Sequence, residues 1–486
     1  MKNLKRFLAL GLAATMVLSM AACGNKQKGG AVSSADAFGT GDGVIDIGSW
    51  WVQYYDSDDA MEDSVDWVNA QYADDDTEEK KAEKAINQDV AQRKWDNVKK
   101  MEEKYGVKFY WQNLTYEGVK DSINTSILAG NPDCEVYLVE ASMAVPAQTN
   151  GLAVDLKTVL PEDHALLKNE DPNMGYLDLG DGKACILYRK SAQSNVEATW
   201  PLGYNKQLLD ANNLEDPRAL YERGEWTWDK FIEYCKVLTQ DTDGDGQIDQ
   251  YGFCGFSKDA FGQMLMSNGA NIASGQTEAL SDAKTGECLQ LLYDLYNTYN
   301  VAYPYDFEGE PWNSMRSQYH QGNIGFFPIA CWVNNSNGDY GTSKTATFDT
   351  VYCHWPVGPS GNKDTNFGKN AVSGTDYYMI AAGCKNPGTA FNVIYDFFNW
   401  YEGDTSLRDN PATMNWWYQE TANDETLQKE NFNIMFECGD RTTVDFWESL
   451  GFEYDFNALI KGEMTPAQFQ ETYKQQVQDA LDAYFK

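Results

Sequence analysis

The chain has 486 residues, 38 Lys+Arg against 73 Asp+Glu, and a formal net charge of −35. A surface this acidic repels nucleic acid and anionic headgroups, so nucleic acid is not an expected partner. Hydrophobic residues at 42% and aromatics at 14% argue against disorder, and the length exceeds what one core fills, which predicts two domains.

Residues 1–22 read as a signal peptide. Lys2, Lys5 and Arg6 precede an apolar run, Phe7 to Met20, that is too short to span a bilayer. The run closes on Ser-Met-Ala-Ala-Cys, which resembles the lipobox of bacterial lipoproteins and implies lipidation of Cys23, although Met20 stands where leucine is commonest. Residues 23–43 then hold the lipidated cysteine and a flexible, Gly/Ala/Ser/Lys-rich tether. No other apolar run approaches spanning length, so the expected location is the extracellular face of a bacterial cell membrane, anchored by lipid. The remaining cysteines stand singly in apolar contexts such as IEYCKVL and PIACWV. They read as buried small hydrophobes, not a disulfide framework or zinc site.

VIDIGSWW (Val44 to Trp51) predicts a first strand, and Asp56 to Glu83 an acidic insertion. A long helix beginning at AINQDV, a turn at Gly106 and a second strand, KFYWQNL, follow. TYEGVKDSINTSILAG repeats the helix, Gly130 to Asp133 the turn, and CEVYLVE is a buried strand. This is βαβαβ grammar, which predicts a mostly parallel sheet with ligand chemistry at the strands' C-terminal ends.

Farther on, DTDGDGQIDQYGF places Asp241, Asp243, Asp245 and Asp249 at the first, third, fifth and ninth positions of a loop. Calcium takes about six to eight oxygens, and carboxylates at that spacing supply them. Gly246 permits the sharp turn, the Gln247 carbonyl is a further ligand, and Ile248 is expected to anchor the loop in a core. Gly252 stands at the twelfth position, where a helix-loop-helix calcium site carries a bidentate glutamate. A structural calcium is therefore expected, with some ligands supplied from elsewhere or from water.

Several ordered stretches resemble the family 1 extracellular solute-binding proteins that feed ABC importers, the maltose-binding protein class. They are AGNPDCEVYLVE, WPLGYNKQLLDANNLEDP, EWTWDKF, HQGNIGFFPIACWV, VSGTDYYMIAAGCKNPGTAFNVIYDFFNW and IKGEMTPAQFQETYKQQVQDAL. The insertion at 56–83 and the region 401–450 depart from compact members and leave specificity open. The resemblance implies an α/β, two-lobe periplasmic-binding-protein-like fold (type II), with the ligand cleft between lobes joined by hinge crossings. The lobes are expected at 44–192 plus 377–410 and at 193–376 plus 411–486. It also implies a monomer whose partners are a carbohydrate, an oligosaccharide above all, and an ABC transporter permease.

Sugars offer polar rims and apolar CH faces, so stacking aromatics beside carboxylates and amides are the expected contacts. Trp50 and Trp51 end the first strand, Gln53 and Tyr54 follow, and Glu140 with Ser142 ends the strand CEVYLVE. Arg189 offers a bidentate fork. Trp332 resembles the tryptophan the family sets under a sugar ring, Asp376 and Tyr377 stand at the second crossing, and Trp417, Tyr418 and Trp447 lie in the divergent region.

Catalytic signatures are missing from the sequence. The histidines, 3 in all, have no HExxH or HxH spacing, and there is no G-x-S-x-G elbow or phosphate-binding G-x-x-x-x-G-K-[ST] loop. The competing readings are a surface glycan-degrading enzyme and a structural or adhesive calcium-binding surface lipoprotein.

Overall fold

The computed structural model describes residues 43–50, 77–191, 200–304, 311–334, 341–363, 376–410, 421–439, 450 and 452–485. Its first strands keep the expected order. β1 (Val44–Ser49), with Ile45 and Ile47 wholly buried, pairs in parallel with β2 (Lys108–Asn113) and β3 (Val136–Val139). Helix α1 (Glu78–Tyr105) joins β1 to β2 and ends at Gly106, whose φ of 65° permits the reversal. It begins earlier than expected and takes 78–83 from the supposed insertion. EEKKAEK is rich in helix formers, and Lys81 pairs with Glu78 at 2.9 Å one turn away. Helix α2 (Tyr116–Ser122) precedes β3, and α3 (Ala141–Thr149) leaves it directly. β4 (Met174–Tyr176) and β5 (Leu187–Arg189) complete this part of the chain.

A second sheet is then built from β6 (Leu202–Asn205), β7 (Tyr251–Phe253), β10 (Ile324–Pro328) and β11 (Thr350–Cys353), with β8 (Ala273–Ser274) and β9 (Thr277–Glu278) forming a small separate pair. The chain finally returns to the first sheet as β12 (Tyr377–Ile380). The strand orders are β2-β1-β3-β12-β5-β4 and β11-β6-β10-β7. The expectation of a mostly parallel sheet fails beyond β3. β12 runs antiparallel to both β3 and β5, β4 runs antiparallel to β5, and in the second sheet only β10 with β7 is parallel. Helical crossovers force parallel pairing only on the strands they join, and β12 arrives from the other sheet with no such constraint.

Helix α4 (Trp228–Leu238) shows how local sequence sets the second core. Thr227 caps it by accepting from the Lys230 amide at 3.4 Å, and Trp228, Phe231, Tyr234, Cys235 and Leu238 recur on one buried face. That face lies so close on β7 that a Cβ at Gly252 would stand 2.3 Å from the Cys235 carbonyl oxygen. Gly252 is thus fixed by helix–strand packing, which is why the loop before it cannot carry a glutamate at that position. Helix α5 (Pro387–Phe398) follows β12 and packs on α1, where Lys104 and Tyr105 reach Asp396 at 2.6 and 2.7 Å.

Helix α6 (Glu425–Gly439) covers β11. Its Asn431, 0% exposed, donates to the Thr350 carbonyl and accepts from the Tyr352 amide and Arg218, at 2.9, 2.8 and 2.8 Å. Helix α7 (Pro466–Tyr484) opens with a capping box between Thr465 and Gln468. It packs along the second core, yet its last residue, Tyr484, is buried in the cluster beside the first sheet. Among the described residues Cys134, Cys185, Cys235, Cys254, Cys288, Cys353, Cys384 and Cys438 are free, and all but Cys384 are buried. No helix of the described residues is long and apolar enough to cross a membrane.

Candidate ligand-binding edge

β1, β2 and β3 run in parallel, so Ser49, Asn113 and Val139 end at one edge of the first sheet, and the residues that follow them meet there. Trp50 follows β1, Tyr116 opens α2 after β2, and Glu140 follows β3. Trp50 stands edge-on to Tyr116, with ring centroids 5.5 Å apart at 75°. The Tyr116 phenol donates to Glu140 Oε2 at 3.0 Å. Glu140 is the N-cap residue of α3, but its carboxylate makes no capping bond. Ser142 Oγ, on the second residue of the same helix, is buried without a hydrogen bond among the described residues. Two aromatic rings and a carboxylate thus meet where two helices begin. Beneath them Tyr137 of β3 bonds Ser122 at 2.8 Å, and burial pushes its phenol pKa up to about 12.

The other sequence candidates fall in different surroundings. Arg189 ends β5 with its guanidinium 5.0 Å over the Phe398 ring and 3.8 Å from Asp376, and both partners of that ion pair are mostly buried. The pair joins the strand before the first crossing to the strand after the second. Tyr377 is 3% exposed and packs across the sheet from Tyr188 in the core. Trp332 lies on the turn Cys331–Asn334 after β10, and its side chain is outside the described residues. That turn is braced by Asn334, whose Oδ1 meets His320 and Ser343 and whose amide donates to the Tyr352 phenol at 2.5 Å. Trp51, Gln53, Tyr54, Trp417, Tyr418 and Trp447 lie outside the described residues, as does Cys23.

In the aspartate loop, ligand atoms of Asp241, Asp243 and Asp249 lie within 4.8 Å of one another. Backbone amides of Gly244 and Gly246 donate to the Asp241 carboxylate at 2.7 and 2.8 Å, and Thr242 donates to Asp249 through its amide and hydroxyl. These bonds hold the Asp249 pKa below the ordinary carboxylate range. The all-oxygen donor set suits a hard cation. Asp245 stands outside this group, its Oδ1 accepting from the Gln247 amide at 2.7 Å. Ile248 does not anchor the loop as expected. It is 41% exposed, because the pairing of Gln240 with Gln250 closes the loop outside the core.

Tyr116 is the residue that sequence reasoning missed. Its signal was positional, since a residue opening a helix after a parallel strand shares its neighbours' edge.

Two sheets linked by repeated crossings define a two-lobe α/β binding fold, and solved structures agree. A maltose/maltodextrin-binding domain from Bdellovibrio bacteriovorus, bound to maltotriose, aligns with a TM-score of 0.53 at 17% identity, over 90% of this chain and 98% of its own. An ABC substrate-binding protein from Listeria monocytogenes in complex with cycloalternan aligns at 0.52 and 15%, over 80% and 96%. The GacH receptor of Streptomyces glaucescens, solved unliganded and with acarbose, gives 0.52 and 16%, over 90% and 98%. No curated protein sequence matches. Residues 77–406 match the family described as bacterial extracellular solute-binding protein, and the chain belongs to it.

Proposed function

We propose that this solute-binding protein captures a carbohydrate, an oligosaccharide above all, between its lobes and delivers it to an ABC importer permease. One observation carries the reading: Trp50, Tyr116 and Glu140 bring two half-buried aromatic rings and a carboxylate together at the C-terminal edge of parallel strands, the combination that sugar rings favour. The sugars in the structures of similar fold support it. Lobes at 44–192 plus 377–410 and at 193–376 plus 411–486 would close by hinge motion about the crossings. A ligand drives closure only through differential affinity, and a shift from 1:99 to 99:1 takes roughly 5.5 kcal/mol. The Arg189–Asp376 pair sits where two crossings root in the first sheet, so its part is to hold the hinge.

The protein acts as a monomeric binder and not a hydrolase, lipid-anchored through Cys23 after removal of the signal peptide. Calcium, held by Asp241, Asp243 and Asp249 with the Gln247 carbonyl, would tie α4 to β7 and take no part in capture. The experiment is a melting curve of the protein against a panel of oligosaccharides, with each sugar recovered afterwards. Binding at a hundred times the dissociation constant adds about 2.7 kcal/mol, a clear rise in midpoint, with the sugar intact. No rise with any sugar, or a cleaved sugar, overturns the reading.

A further inference from the structure

We propose that Tyr116 is a specificity-determining residue that makes the group beside Glu140 an uncharged hydroxyl and excludes a carboxylate, so the ligand is a neutral sugar and not a uronate. This rests on the carbohydrate reading of the same edge.

Tyr116 fixes both neighbours at once. Its phenol donates to Glu140 Oε2 at 3.0 Å and its ring meets the Trp50 indole edge-on. Since the phenol is the donor, Oε2 is an acceptor, and Oε1, with no hydrogen bond among the described residues, is left to accept from outside. A sugar hydroxyl supplies that hydrogen. A uronate brings a second carboxylate to the same place, where like charges repel.

The backbone before Tyr116 is strained in the direction this role needs. Thr115 has φ 64° and ψ 163°, a conformation that suits glycine and that a β-branched residue rarely adopts. Its hydroxyl accepts from the Gly118 amide at 3.2 Å and its carbonyl from the Val119 amide at 3.0 Å. The chain thereby turns sharply off β2, and α2 begins with Tyr116 at the strand ends.

Among the described residues, Arg189 and Lys120 are each engaged by a carboxylate of their own. Arg189 is engaged by Asp376 and by the face of Phe398. Lys120 lies 4.4 Å from the Tyr116 ring centroid and pairs with Glu117 at 3.3 Å.

The test titrates the full chain calorimetrically with maltotriose, mannotriose and trigalacturonic acid. A neutral trisaccharide should bind at least about tenfold more tightly than the uronate, and Tyr116→Phe should weaken that binding about tenfold without moving the melting midpoint. Glu140→Gln should narrow the gap between sugars. In the Glu140→Gln background Tyr116→Phe should add little, because the two residues act as one unit. If Tyr116→Phe binds the neutral sugar as the parent does, or the uronate binds as tightly, the inference is wrong while the binder stands. If neither class of sugar binds, the carbohydrate reading itself fails and takes this inference with it.

Discussion

Three tryptophans of the second core and the tryptophan at the first sheet's edge live under opposite conditions. Trp226, Trp228 and Trp355 are buried, and each indole N–H has an acceptor: the His354 carbonyl at 3.0 Å, Ser267 Oγ at 3.2 Å and the Trp200 carbonyl at 2.8 Å. Trp50 is half-buried, touches Tyr116 with its ring, and has no acceptor for its N–H among the described residues. The same contrast separates Asn431, satisfied on every side, from Glu140, with an oxygen to spare. A residue whose needs the protein meets is architecture. One left partly unmet at a strand end is where the proposed ligand would bind.

Variants can break or sharpen that contrast. Trp226→Ala should cost about 3–5 kcal/mol of stability through the cavity it leaves, read in denaturant unfolding. Ligand affinity should stay unchanged wherever the variant remains folded. Asn431→Leu strands the partners of a buried amide and should cost about 3 kcal/mol; an unchanged midpoint would mean that α6 is not needed by β11. Chelation tests the aspartate loop. If calcium fills the aspartate loop at a hundred times its dissociation constant, its removal should lower stability by about 2.7 kcal/mol, and Asp241→Asn should abolish the difference.

Trp50→Ala should reverse the pattern, weakening sugar binding by about 1.5 kcal/mol while stability falls by less than about 1 kcal/mol. Equal losses in both would place Trp50 with the interior tryptophans. The smallest effect concerns Asp249, which is held below its ordinary pKa by Thr242. Its bonds contribute fully above the unfolded value, near ~4, and are lost as pH falls through the lowered folded value. Protection of the Thr242 amide, taken relative to its intrinsic exchange rate, should therefore fall only in that acid window.

Much of this architecture was legible because it is written in local signals. Gly106 gave the turn that ends the first helix, and the alternation in VIDIGS the first strand. The sense of pairing was not, since nothing near YYMI says that β12 enters the first sheet from the opposite direction. At the site, Trp50 and Glu140 were readable as strand ends. The role of Tyr116 was hidden because it depends on three strands sharing one edge. Ile248 misled for a similar reason: an apolar residue at the right loop position says nothing of whether a core lies within reach.

β12 carries a further consequence. It is hydrogen-bonded between β3 and β5, and it comes from residues 377–380, after the whole second sheet has been made. Until it arrives, β2-β1-β3 and β5-β4 share no strand pairing, so the first sheet cannot be excised as one continuous stretch of chain. Pairings so distant along the chain are slow to form. The first sheet should therefore be the later of the two to close, since β6, β7, β10 and β11 all precede β12 along the chain.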